Sequence, residues 1–328
     1  MNKTWRLGVE IGGTKLQLGI GPGDGTLRAL HRERVDPAQG APGILARIEH
    51  AYPRLIEQAG IRRDQISAAG VGFGGPVDPL RGTVQKSFQV PGWEGFPLAD
   101  WLRERLDLTR VVVENDADAA GLAETILGAG QGASPLLYSN IGSGIGGALI
   151  VSGQIYRGSG SGALEIGHLN VPDPRPGSDQ TLELEQIASG WAIGRHAREA
   201  ALAMSHDQRQ AWSVLSRAGG DPNHITAIDV AQAAETGDPD AVAILRNART
   251  ALAFALNQAV TLLAPRRIVL GGGVSLIPDQ LWLDPIRIAV AAIAFAPFRD
   301  NFDIVTALLG EEVVIHGALL LACPNLQS

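Results

Sequence analysis

Two stretches of this chain share one pattern, and that pattern limits the fold more than any other feature. From Leu7 to Gly21 the sequence reads LGVEIGGTKLQLGIG: an apolar run, a tight glycine turn and a second apolar run. From Leu136 to Gly153 it reads LLYSNIGSGIGGALIVSG, in the same order. Short apolar runs joined by a glycine turn read as β-hairpins. Each copy stands near the start of its own half of a 328-residue chain, a length that suits two domains of ~150 residues. The repeat points to a duplicated domain with a cleft between the copies.

Other signals fill in around the hairpins. TLRALHRERV extends the first hairpin as a third strand. Over 42–60, Ile44, Leu45, Ile48, Leu55, Ile56 and Ala59 recur at helical spacing. Residues 68–73 form a buried strand that runs into the turn GGPVD. A helix is expected over 98–106, a buried strand over 110–114 and a helix over 116–127. In the second half, PDPRPGSD (172–179) reads as a polar loop. An amphipathic helix covers 240–263, RRIVLGGGVS is a last strand and glycine turn, and a helix closes the chain over 311–322.

Composition narrows the partners. With 45% hydrophobic and 19% charged residues, a substantial core is expected and global disorder is not. The net charge of -7 and the lack of a clustered basic run argue against nucleic acid or an anionic membrane as partner. The longest uncharged apolar run, 288–298, is too short to span a bilayer, which takes ~20 residues. A single cysteine, Cys323, rules out an internal disulfide and a multi-cysteine metal site, and it fits a reducing compartment. No apolar leader stands at the N-terminus, so a soluble, cytoplasmic protein is expected.

The glycine turns are not standard nucleotide motifs. A Walker A loop needs Lys before Ser or Thr, and here Thr14 precedes Lys15. The GxGxxG spacing occurs at Gly142 and at Gly70, but the first match runs into a strand and the second into Pro76. With 41 glycines, chance matches are expected. Successive N–H groups in a glycine turn do make an anion nest. Nests at Gly12–Lys15 and Gly142–Gly144, with hydroxyls from Thr14 and Ser143, suit a polyphosphate held from two sides. Each turn alone reads equally well as an ordinary hairpin turn; the pair, with Glu10 before the first, favours phosphate. Lys15 reads either as a point charge for phosphate or as a solvated strand residue. Glu114, Asn115 and Asp116 end a strand where a helix begins. Asn and Asp there are good N-caps, and a carboxylate beyond a strand end is also placed to take a proton from a substrate hydroxyl.

Taken together, EIGGTK, GFGGPVD, PGWEGFPL, ENDADAAGLAE, NIGSGIGGALIVSGQIYRGSGSGALEIGHLNV and IVLGGGVS resemble, in order and over nearly the whole chain, the ROK family of sugar kinases. This is a glucokinase-like branch of the actin/hexokinase-type ATPases. The resemblance implies two actin/hexokinase-like (ribonuclease H-like) α/β domains with a cleft between them. The expected small domain is 1–116 with 311–328, and the large one is 117–310. The implied ligands are ATP, Mg²⁺ and a hexose. Asp116 matches the family's catalytic base. Gly75, Asn115, Asp116, Glu165, His168 and Glu185 match sugar-binding positions. Gly12, Gly13, Thr14, Lys15, Gly142, Ser143, Gly144, Gly271, Gly272 and Gly273 match the nucleotide loops. Glu10 stands where many members have Asp, and would orient Mg²⁺ through water.

The chain departs from the family in one place. The family usually carries C-x-C-G-x-x-G-C after the histidine, for structural zinc. Here the interval is LNVPDPRPGSDQTLEL, and His168 alone cannot hold zinc, so none is expected. The implied reaction is phosphoryl transfer from ATP to a hexose, with glucose at O6 favoured. Fructose, mannose, allose and N-acetylmannosamine are alternatives. A homo-oligomer, dimer or tetramer, is expected. The family's sugar-responsive repressors are the rival class, but the phosphate turn starts within ten residues of Met1, which leaves no room for their DNA-binding domain. A non-catalytic sugar sensor is a further alternative, against which the intact Asp116 counts.

Overall fold

A computed structural model of the chain describes residues 5–160 and 162–323. Strands β1 (Trp5–Ile11) and β2 (Lys15–Gly21) form the first hairpin, and β3 (Ala29–Arg34) pairs antiparallel with β2. Helix α1 (Gly40–Ala59) buries a stripe of Ile44, Ile48, Ala51, Tyr52, Leu55 and Ala59. It stops at Gly60, whose φ of 67° suits a residue without a β-carbon. Next come β4 (Ile66–Phe73), the short pair β5 (Val77–Asp78) and β6 (Thr83–Val84), α2 (Leu98–Leu106) and β7 (Arg110–Asn115). Helix α3 (Asp116–Ile126) starts where β7 ends.

The second hairpin is β8 (Leu136–Ile141) and β9 (Ile145–Val151), extended by β10 (Gln154–Ile155). A further hairpin of β11 (Asn170–Pro172) and β12 (Thr181–Glu183) follows. The segment expected as a plain polar loop is therefore the end loop of a strand pair. Then come α4 (Glu185–Ala188), α5 (Gly190–Ala203), α6 (His206–Ala211), α7 (Ser213–Arg217), α8 (Ala227–Glu235) and α9 (Pro239–Leu263). The chain ends through β13 (Arg267–Gly271), α10 (Leu283–Ile293), β14 (Asp303–Thr306) and α11 (Val313–Leu321). Among the described residues no helix is long and apolar enough to cross a membrane.

The duplication extends well beyond the glycine turns. One five-stranded sheet has the order β3-β2-β1-β4-β7 and the other β10-β9-β8-β13-β14, which is the same 3-2-1-4-5 arrangement in both. The chain forms two compact units: 5–138, 148–164 and 308–323 in one, and 139–147 with 165–307 in the other. Their bounds run through β8 and β9, whereas the sequence suggested a break at 116/117. In the first unit, register aligns Arg32 with Gln17, Gln17 with Glu10, Glu10 with Gly72, and Gly72 with Glu114. One transverse row of the sheet thus carries Arg32, Gln17, Glu10 and Glu114, with the bare Gly72 between the last two.

Helix α11 presses onto this first sheet and onto α3. A β-carbon at Gly70 would collide with the Ala318 carbonyl, and one at Gly317 with the Ala119 carbonyl. Backbone oxygens within a helix cannot swing aside, so these glycines set how closely the layers approach. Gly70→Ala is expected to destabilise the protein by about 1–3 kcal/mol, as overpacked cores do. Chemical denaturation checks this; an unchanged midpoint would mean that α11 does not bear on the sheet.

Candidate active site

The first unit brings the opening glycine turn and the Asp116 carboxylate together. At the end of β1 the chain turns through Gly12, Gly13 and Thr14, and the Gly12 N–H closes the turn on the Lys15 carbonyl at 2.9 Å. The N–H groups of Gly13 and Thr14 donate to no other described residue. Two adjacent donors of this kind suit an anion. A β-carbon at Gly13 would run into the Gln89 side chain, so internal packing also requires this glycine.

Glu10 is buried below the turn. Lys15 Nζ lies 3.0 Å from its Oε1, and Gln17 Nε2 donates to its Oε2 at 2.6 Å. Burial pushes the Glu10 carboxyl above its ordinary range, against the pull of Lys15, Gln17 and Arg32. Lys15 also donates to the Glu311 carbonyl at 3.2 Å, so it is tied down and is not a freely solvated strand residue. Each Glu10 oxygen keeps a lone pair beyond the one that meets Lys15 or Gln17. This fits a hydrated divalent cation held through water; among the described residues no group of three or more His, Cys, Asp or Glu forms a metal cluster.

Asn115 and Asp116 stand side by side where β7 ends and α3 begins. Asn115 caps α3 by accepting the Ala117 N–H at 2.8 Å, and its Nδ2 donates to the Gly75 carbonyl at 3.2 Å. Asp116 Oδ1 also accepts the Ala117 N–H at 2.8 Å. Its Oδ2 borders Gly74: a β-carbon there would lie 3.4 Å from that oxygen and 3.4 Å from Gly12 Cα. The carboxylate and the glycine turn therefore meet around one bare residue.

The sequence reading missed Tyr138, Glu124 and Gln17, and also the arginine that Glu114 meets. Glu114 is buried and bonded to Arg157; burial pushes its carboxyl up while Arg157 pulls it down. Tyr138 is buried, and its phenol is pushed far up by burial and then by the charges of Glu124, Asp116 and Glu10. Glu124 is itself fully buried and accepts N–H groups from Ala129 at 2.7 Å and from Leu308 and Leu309 at 2.9 Å. For Gln17 a signal existed: it is the one polar side chain between apolar neighbours in LQL, two residues after Lys15.

The second unit gathers its own set. The Gly142 N–H closes its turn on the Gly144 carbonyl at 2.9 Å. Gly190, at the start of α5, donates to the Gly142 carbonyl at 2.8 Å. Gly272 has φ 83° and packs against Asn140 and Ile141, so the Gly271–Gly273 loop abuts the same turn. Glu185, expected at the sugar, has Oε2 on the Ile145 N–H at 2.6 Å, and a β-carbon at Gly144 would land on that carboxylate. Glu165 and His168 are both exposed, on either side of Gly167, which packs against the Ile145 carbonyl.

Where the family's cysteines are missing, the β11–β12 hairpin carries an internal ion pair. Arg175 donates through Nε to both oxygens of Asp173, at 3.0 and 2.9 Å. The Asp173 N–H closes the loop on the Gln180 carbonyl at 2.9 Å. His168 Nδ1 lies 3.4 Å from Glu183 Oε2 on this hairpin. A strand pair thus stands at the place of the zinc loop, and among the described residues no three His, Cys, Asp or Glu side chains gather there, whereas zinc takes about four such ligands.

These two α/β units define an actin/hexokinase-like protein. The sequence model of the ROK family matches residues 6–324, and the chain belongs to that family. It is 31% identical to a glucokinase of Halalkalibacterium halodurans over 323 residues, covering 97% of this chain and 94% of that one. Among solved structures, it resembles a ROK family glucokinase from Streptomyces griseus in complex with glucose and AMPPNP, with a TM-score of 0.79, 32% identity and coverage of 97% and 99%. A ROK hexokinase from Thermus thermophilus gives a TM-score of 0.77 at 29% identity, covering 97% of each chain.

The hairpin pair makes a pH prediction. Hydrogen bonding from Arg175 lowers the Asp173 carboxyl from its ordinary 3.8 to about 2. A depressed folded-state value means that the ionised form is stabilised by folding. The contribution is fully present above pH ~4 and is lost as pH falls toward ~2. Asp173→Asn should therefore lower the melting temperature at pH 6, and the gap to wild type should shrink steadily over that acid range. A gap that is constant with pH would show that the pair contributes through packing alone.

Proposed function

We propose that the protein is an ATP-dependent hexose kinase that transfers the γ-phosphate to the sugar 6-hydroxyl, with glucose the preferred substrate and Asp116 the general base. The observation that carries this reading is the meeting of the Asp116 carboxylate and the Gly12–Thr14 turn around Gly74 within one unit. One group takes a proton and the other offers two N–H donors to an anion, which are the two needs of phosphoryl transfer to a hydroxyl. The glucokinase and hexokinase relatives support the same reading, and the Streptomyces griseus structure supports a sugar and an ATP-like nucleotide as the ligand pair.

In this mechanism Asp116 accepts the hydroxyl proton as the sugar oxygen attacks phosphorus. The Gly13 and Thr14 amides hold phosphate oxygens whose charge grows in the transition state, and Gly142, Ser143 and Gly144 are the phosphate turn proposed for the second unit. Gly271, Gly272 and Gly273 are the loop proposed for the adenosine. Glu10 would hold Mg²⁺ through water, and the ion would supply charge neutralisation. Asn115, Glu165, His168 and Glu185 offer donors and acceptors to the sugar hydroxyls, and the Gly75 carbonyl is fixed by Asn115. Catalysis here is mainly positioning and electrostatics.

Asp116→Asn keeps the size of the side chain and removes the base. It is expected to lower kcat by about 10²–10⁴-fold while sugar affinity, measured by calorimetry, stays near wild type. Near-wild-type turnover in the folded variant would reduce Asp116 to a helix-start residue.

A further inference from the structure

We propose that Gln17 is a positioning residue for the phosphate turn, holding the Glu10 carboxylate in one orientation, and that Arg32 in turn holds Gln17. This rests on the kinase reading above. Gln17 is fully buried on β2, in register with Glu10 on one side and Arg32 on the other. Its Oε1 accepts Arg32 Nε at 3.0 Å, while its Nε2 donates to Glu10 Oε2 at 2.6 Å and to the Glu311 carbonyl at 3.1 Å. The amide orientation has no alternative. Arg32 can only donate, and a carboxylate and a carbonyl can only accept. Flipping the amide would set oxygen against two oxygens and N–H against N–H.

The constraint continues outward. Arg32 Nη1 and Nη2 lie 3.0 and 2.5 Å from the Glu311 and Glu312 carboxylates. Lys15 holds the other Glu10 oxygen and shares the Glu311 carbonyl with Gln17. Glu10 therefore has both oxygens fixed, by groups that are fixed themselves. Stability alone does not call for this arrangement, since apolar side chains in place of buried polar networks are often neutral or stabilising. An amide at this position is explained by what it does to Glu10. Partners that orient a metal-anchoring side chain commonly govern the affinity of the site.

The test is calorimetric binding of a non-hydrolysable ATP analogue to the full chain, with Mg²⁺ and with EDTA, alongside melting temperatures. Gln17→Leu should fold and should match wild type in EDTA. It should lose about 10-fold of the affinity that Mg²⁺ adds, the lower end of the effect of such supporting residues. Arg32→Gln, nearer the surface, should lose less in the same direction, and it serves alone if Gln17→Leu does not fold. A wild-type Mg²⁺ gain in the folded variants, or an equal loss with and without Mg²⁺, overturns the proposal. Wild-type protein that binds no nucleotide at all overturns the kinase reading and this proposal with it.

Discussion

The constraint on which the first unit depends is a carboxylate buried at the foot of a glycine turn. Removing one partner of a buried charge pair typically costs ~3–5 kcal/mol, so such a group survives only with its hydrogen bonds arranged around it. Glu10 obtains them from Lys15 and from Gln17, which Arg32 holds in turn; on the other side the row that crosses the sheet runs through the bare Gly72 to Glu114 with its own arginine. Gly72 belongs to the same solution. A β-carbon there would collide with Val314 of α11 and lie 3.4 Å from the β-carbon of Ala119 on α3. Leaving it out lets both helices close over the row and bring Asp116, at the start of α3, next to the turn.

The two glycine turns share a topology and differ in their chemistry. The first has Glu10 and Lys15 beneath it and two N–H groups without a partner among the described residues. The second already holds a carboxylate, because Glu185 sits on the Ile145 N–H. A duplicated sheet has thus been fitted with different charges at equivalent bends. The second unit also carries a hairpin closed by Asp173 and Arg175, so the segment that follows His168 is shaped by backbone pairing and one ion pair.

Much of this was legible in the sequence, for physical reasons. Apolar alternation and glycine turns report strand hairpins directly, and α2 and β8 have the limits read from their apolar patterns. The Asn-Asp step after a buried strand marked both the cap and the carboxylate beside the turn. What the sequence hid depends on contacts across long separations. Arg157 meets Glu114 across 43 residues, and Glu124 receives amides from 308 and 309. A lone arginine or glutamate carries no local mark of such a partner. The β11–β12 pair was hidden because Pro and Gly between short strands give the same signal as an unstructured loop. The glycines were only half legible: their freedom to approach an anion was readable, whereas the contacts that Gln89 and Glu185 make with Gly13 and Gly144 were not.

The measurement that bears most directly on the central claim is a comparison of sugars under one set of ATP-Mg²⁺ conditions, with the product of the best one examined by NMR. Glucose, fructose, mannose, allose and N-acetylmannosamine would be compared by kcat/KM. The account predicts that glucose leads and that the phosphate appears on its C6 oxygen. Leadership by another hexose would contradict the glucose assignment and leave the phosphoryl-transfer site standing. Binding of sugar and nucleotide with no phosphorylated product from any of the five would contradict the account as a whole.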